Sequence, residues 1–264
     1  MTAQRSLIVT ADDFGYDSAV NEAVARAYKD GVLRYASLMV DRPGAQEAAR
    51  LARENPGLGV GLHLELCADN PALWGARYFF SASDRARLRP EIERQLDKLR
   101  SMGIEPTHVD GHFNIHVHPV VFPLLCEISG RRRVPRVRLP GGELRSCLGY
   151  GADGALARAG LAVVFGLLRA ALMPMRGRVH VPPRTFGLLR SGTMTEDYLV
   201  WLIERLPPGE TEIYLHPTAE PGTEVSDRPR PTHHTLTELE SLLSPRVKAA
   251  LARSGVRLLQ AERR

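Results

Sequence analysis

The 264-residue chain is 44% hydrophobic and 25% charged, with a formal net charge of +5, values that exclude a disordered, collagen-like or disulfide-scaffold protein. Its basic residues are 32 Arg against only Lys29, Lys98 and Lys248, scattered along the chain. The densest cluster, Arg131, Arg132 and Arg133 with Arg136 and Arg138, lacks interleaved aromatics, so no nucleic-acid partner is expected.

A length of about 250 residues suits one α/β barrel, and a single domain over 1–264 is expected. Cys67, Cys126 and Cys147 are odd in number and form no CxxC, which points to a reducing, cytoplasmic setting. The first apolar run, Leu7-Ile8-Val9, is too short for a signal peptide. The most apolar window, 161–175, falls short of the roughly 18 residues of a spanning helix and contains Arg169 and Pro174, so it is not expected to cross a bilayer.

In chain order, 7–10 reads as a buried strand running into Ala11-Asp12-Asp13-Phe14-Gly15. A helix capped by Asp17 or Ser18 follows, ending near Gly31. Strands are predicted over 35–40 and 60–66, with a helix over 44–54 between them. Residues 91–102 form a helical pattern stopping at Gly103; 107–110 and 134–139 read as strands separated by a helix starting after Pro119. A helix at 195–206, a strand at 212–215, a helix at 237–253 and a strand at 256–259 complete the alternation, which is the pattern of a parallel sheet. Two stretches break it: 141–192, rich in Gly, Arg and Pro, and 216–234, with Pro217, Pro221, Pro229 and Pro231. Both are expected to elaborate a site at the carboxyl ends of the strands, where parallel α/β folds place their chemistry.

At those ends stand Asp12 and Asp13, His63, Asp110 with His112, then His116 and His118, and finally His216. A metal site explains such a gathering economically, because adjacent carboxylates repel unless a cation or proton separates them. Each residue also has a plainer role: Asp12-Asp13 as a capping turn, His63 as a satisfied core histidine, His118 and His180 as structural hydrogen-bonders, and His233-His234 as a solvated pair.

The order and context of these motifs resemble the YdjC/ChbG carbohydrate deacetylases. The resemblance rests on Thr10-Ala11-Asp12-Asp13-Phe14-Gly15, Gly59-Val60-Gly61-Leu62-His63-Leu64, Thr107-His108-Val109-Asp110-Gly111-His112 and Thr211 to Pro217, and it spans the chain from Leu7 to about Leu259. It implies a distorted (β/α) barrel and metal-dependent removal of acetyl from N-acetylated sugars. By position, Asp13, His63 and His112 become the metal ligands, Asp12 the general base and His216 the general acid. His116 is expected to contact substrate or support the site, and it rivals His112 as ligand; Arg138 is expected to orient sugar hydroxyls or a phosphate. The cofactor is one divalent ion, Mg2+ by resemblance, Zn2+ or similar by the chemistry of two imidazoles.

Many members of that family carry three consecutive histidines where this chain has His112-Phe113-Asn114, which points away from chitooligosaccharide. With Arg184-Thr185-Phe186-Gly187 and Ser191 to Glu196, the chain looks closest to the branch associated with hopanoid biosynthesis, whose expected substrate is a lipid bearing an N-acetylglucosaminyl group. The window at 156–175, flanked by Arg158, Arg169, Arg176 and Arg178, suits peripheral contact with the inner membrane face, or packing on the barrel. A homodimer is implied by resemblance. The alternatives are a deacetylase of soluble chitooligosaccharides and a non-catalytic barrel that binds glycolipid or membrane.

Overall fold

A central parallel strand must be apolar on both faces, and Leu7, Ile8, Val9, Ala11 and Phe14 are all buried in β1 (Arg5–Phe14). The computed structural model describes residues 4–67, 70–151, 155–220 and 233–261. Around β1 lie β2 (Tyr35–Leu38), β3 (Gly59–Leu64), β4 (Val109–Gly111), β5 (Arg184–Phe186), β6 (Gly209–Leu215) and β7 (Arg257–Leu258). The order β4-β3-β2-β1-β6-β5 is parallel throughout, and β7 pairs with the start of β1 at Ser6 and Leu7. The sheet curls into a distorted barrel: single bridges Val109↔Val137, Arg136↔His180 and Gly141↔Thr185 join its two edges.

Helices cover the outside. Asp17 caps α1 (Ser18–Asp30), accepting from the Val20 amide at 2.9 Å, and α2 (Ala45–Glu54) buries Ala45, Ala48, Ala49 and Ala52. A helix α3 (Pro71–Phe80), absent from the sequence reading, precedes α4 (Ala82–Ser101). The latter starts at a Ser81 cap and carries Pro90 inside it; proline forfeits one backbone bond there without ending the helix. Beyond α5 (Val121–Arg131), the expected strand at 134–139 is reduced to the single bridges, because Pro135 and Pro140 supply no ladder donors. The expected helix at 237–253 is two, α9 (Leu236–Leu243) and α10 (Pro245–Ser254), divided where Ser244 accepts from Arg246 and Val247 and Pro245 takes the first helical position.

The stretch 141–192 folds as α6 (Leu144–Tyr150), α7 (Ala155–Leu172) and β5, before α8 (Glu196–Glu204). In α7 both sides carry apolar residues. Phe165 and Leu168 pack against the core and Arg169 donates to the carbonyls of Leu139, Pro182 and Pro183, whereas Leu156 (91% exposed), Val163, Val164 and Leu167 (68%) face outward. The helical stretch Leu156–Arg176 has 21 residues, includes an 18-residue window of mean hydropathy 1.7, and is by length and composition long and apolar enough to cross a membrane. The expectation that its length forbids crossing is thereby corrected: the apolar helix starts five residues before the window read from the sequence. Pro221, Pro229 and Pro231 of the second irregular stretch lie outside the described residues.

Candidate metal centre and active site

Neighbouring residues of a regular strand point to opposite faces, yet Asp12 and Asp13 both turn into the barrel end. The pairing of β1 with β2 slips between Ala11 and Phe14, and Asp13 adopts a left-handed backbone with φ 61°. Aspartate tolerates this conformation better than most residues, and such strain concentrates at functional sites. The slip thus separates the two carboxylates: Asp12 faces a guanidinium, Asp13 a ring of imidazoles.

Asp13 Oδ1 lies 3.0 Å from His63 Nε2 and 3.0 Å from His112 Nδ1. His63 comes from β3 and His112 follows β4, so these two neighbouring strands, with β1 one strand beyond across β2, bring the residues together. Burial alone would raise the Asp13 carboxyl, but His112, His233 and His234 hold it well below the ordinary value. His63 Nδ1 donates to Asp110 Oδ1 at 2.6 Å; Asp110 in turn accepts from Ser37 Oγ at 2.6 Å, and that hydroxyl lies 3.0 Å from His108 Nε2. Burial would discharge His63, yet the carboxylates on both ring nitrogens keep its pKa well above the usual histidine range.

Arg138, expected at the substrate, lies among the buried carboxylates behind the site. Its side chain is 2% exposed and donates to Asp12 at 2.6 and 2.8 Å and to Glu212 at 3.1 Å, and its guanidinium forms an ion pair with Asp110 at 2.8 Å. A lone arginine balancing three buried carboxylates commits most of its five donors to them. Burial, against the pull of Arg138, pushes the Asp12 carboxyl up to about 6. His116 takes the supporting position of its two expected roles: it is fully buried, its Nε2 meets the Arg138 carbonyl at 3.1 Å rather than Asp13, and burial lowers it to about 3. His118 and His180 make hydrogen bonds to the Val120 amide and Glu210.

His216 follows β6. Its amide donates to Glu238 on α9 at 2.5 Å, its Nδ1 lies 3.3 Å from Ser191 Oγ, and its Nε2 stands 3.9 Å from Asp12 Oδ2. Burial, helped by His233, holds it well below the usual histidine value. The pair His233-His234 is not solvated as expected. Residues 216–218 bond to Thr235 through Thr235 N to His216 O and Thr218 N to Thr235 O, which returns both histidines to the site. His233 Nε2 and His234 Nε2 lie 3.2 and 2.7 Å from Asp13 Oδ2. Their only sequence signal was adjacency in a proline-rich stretch, which reads equally as surface.

The donor atoms of Asp13, His63 and His112 all lie within 4.8 Å of one another. They fit a divalent cation: one carboxylate and two imidazoles converge, and Asp110 fixes the His63 tautomer from behind, as the supporting carboxylate of a metal-bound histidine does. A cavity of about 790 Å³ beside α3 and α4, lined among others by Glu65, Leu66, Cys67, Trp74 and Tyr78, includes none of these donors.

Fold and site define an α/β barrel with an aspartate–histidine centre of metal-ligand type at its strand ends. The profile of the YdjC-like protein family matches residues 6–253, and the chain belongs to that family. It is 31% identical to a carbohydrate deacetylase of Geobacillus stearothermophilus over 97% of this chain and 96% of that one. It is also 31% identical to a carbohydrate deacetylase of Mus musculus, covering 96% and 92% of the two chains. A crystal structure from Enterococcus faecalis, of a candidate cellobiose-phosphate cleavage protein, shares the fold with TM-score 0.72 at 20% identity, over 97% of both chains.

Proposed function

We propose that the protein is a metal-dependent carbohydrate N-deacetylase that hydrolyses the acetamide of an N-acetylglucosaminyl group carried by a hopanoid-type glycolipid. The observation that carries this reading is the separation of roles within one cluster: Asp13, His63 and His112 converge as ligands while neighbouring Asp12 stands apart, facing His216 across 3.9 Å. Similarity to carbohydrate deacetylases over nearly the full chain supports the substrate class.

A divalent ion bound there would acidify a water and polarise the acetamide carbonyl. Asp12, clamped by Arg138 and with its carboxyl at about 6, takes the proton of the attacking water near neutral pH. Because burial keeps His216 neutral, the proton it delivers to the departing amine is the one Asp12 has accepted. The C–N bond breaks, releasing acetate and the free amine. Two imidazoles and one carboxylate suit Zn2+ or another late transition ion, and the family resemblance suggests Mg2+.

The lipid part of the proposal is supported by the outward apolar side of α7, by exposed Arg176 and Arg178 beside it, and by a cavity of about 250 Å³ between Ala162, Phe165 and Gly166 of α7 and Leu188-Leu189. On this reading the protein works at the inner membrane face, and the homodimer is proposed from family resemblance alone. Purified protein with one equivalent of metal is expected to release acetate from an acetylglucosaminyl lipid and to float with anionic liposomes, the latter lost in Val164→Glu/Leu167→Glu. Release from chitooligosaccharides alone would return the reading to a soluble substrate. No release from either, with Mg2+, Zn2+ or Co2+, would leave a non-catalytic barrel.

A further inference from the structure

A carboxylate has two oxygens, and Asp13 divides them between two sets of imidazoles. Oδ1 faces His63 and His112, each at 3.0 Å; Oδ2 faces His233 at 3.2 Å and His234 at 2.7 Å. The donor atoms of Asp13, His216 and His233 also lie within 4.8 Å of one another, a second convergence sharing one residue with the first. A third group, Asp12, His63 and Asp110, differs in kind, because the Arg138 guanidinium lies 2.6 Å from Asp12 and 2.8 Å from Asp110 and already neutralises it. Among the described residues no Arg or Lys is ion-paired with Asp13.

We propose that Asp13, His216 and His233 bind a second divalent cation of the imidazole-preferring class, such as Zn2+, and that its binding inhibits the enzyme. The inhibitory part rests on the reading of His216 as proton donor given above. His216 Nδ1 lies 3.3 Å from Ser191 Oγ; in the tautomer in which Nδ1–H donates to that hydroxyl the lone pair of His216 is on Nε2, and a support of this kind orients metal-bound imidazoles. That lone pair can hold a proton or a metal ion, not both, so an ion there removes the group that protonates the departing amine.

The two sites load in a fixed order. His63 and His112 are buried, whereas the His233 side chain is 21% exposed and opens the second site to solvent. Sharing one carboxylate, two divalent ions repel each other in a region of low dielectric, so the second binds more weakly than the first. Inhibition therefore appears only beyond one equivalent.

The test uses full-length protein stripped of metal and equilibrated in zinc buffers of defined free concentration, with bound zinc measured by mass spectrometry after desalting. Wild type is expected to bind two ions per chain in separable steps. His233→Gln and His216→Gln are each expected to bind one, with the tight step retained, while His234→Gln keeps two; circular dichroism confirms folding of each. In turnover assays wild type loses activity as zinc passes one equivalent, and His233→Gln requires at least roughly tenfold more zinc for the same fractional loss. Saturation of wild type at one ion, retention of two by His233→Gln, or loss of the second ion in His234→Gln alone would overturn the assignment. Absence of turnover on any acetylated sugar would defeat the reaction proposed above, while the zinc count still decides the site.

Discussion

Replacing Arg138 with Met keeps the unbranched stem of the side chain and removes the positive charge that three buried carboxylates share. Asp12, Asp110 and Glu212 all lie within 3.0 Å of its guanidinium, and each is at most 3% exposed. Breaking a single buried ion pair destabilises by about 3–5 kcal/mol. A chain of this length has an unfolding entropy of about 0.55 kcal/mol/K, so the expected fall in Tm is about 5–9 °C. The loss must depend on pH. In wild type the Asp110 carboxyl, which burial alone would raise, is held below its ordinary value by Arg138 and His63, so its stabilisation is present above the unfolded pKa and disappears as pH falls. In the variant the carboxylates rise above their unfolded values, so the penalty is full at pH 8 and shrinks toward pH 5 as they protonate. Differential scanning calorimetry at both pH values measures this. A Tm within about 2 °C of wild type at pH 8, with a raised KM for the sugar, would refute the reasoning and restore Arg138 to the substrate.

Four other outcomes follow from the same geometry. Asp12→Asn should retain stoichiometric metal and lose about 10²–10⁴ in kcat, measured by acetate release. Asp110→Asn removes the partner of His63 Nδ1 and should weaken metal affinity about 10–100-fold in competition with a chelator. Turnover should rise with pH through about 6, because burial lifts Asp12 to that value and its anion is the active form; a limb centred near 4 would deny Asp12 the role of base. Asp13→Ala should lose metal and also stability, since alanine tolerates φ 61° poorly, while Asp13→Asn should lose metal with a smaller fall in Tm.

Much of the site was legible because chemistry-bearing residues stood next to strongly apolar runs. Leu7-Ile8-Val9 marks β1, so Asp12 and Asp13 could be placed at its end, and the Leu-His-Leu of β3 announces His63 in the same way. What escaped the sequence depends on long-range return of the chain. Arg138 stands in a segment with Pro135 and Pro140, and nothing local tells that its partners are 126 residues upstream and 74 downstream. His233 and His234 reach Asp13 from about 220 residues away, through backbone bonds to Thr235 that no periodicity encodes. Whether the apolar stretch at 156–175 faces outward or packs on the barrel stayed open for a different reason: periodicity locates a stripe but not what covers it.

The backbone slip in β1 has a consequence for how such a barrel diversifies. Asp12 and Asp13 are joined by one peptide unit, so their Cα atoms are held about 3.8 Å apart by covalent geometry. A proton-accepting group and a cation ligand on adjacent residues need no loop or distant helix to keep their spacing. The segments that would meet the rest of a substrate, residues 141–192 and the return at 233–235, can then be rebuilt, lengthened or made lipophilic without re-solving the alignment of the reacting groups.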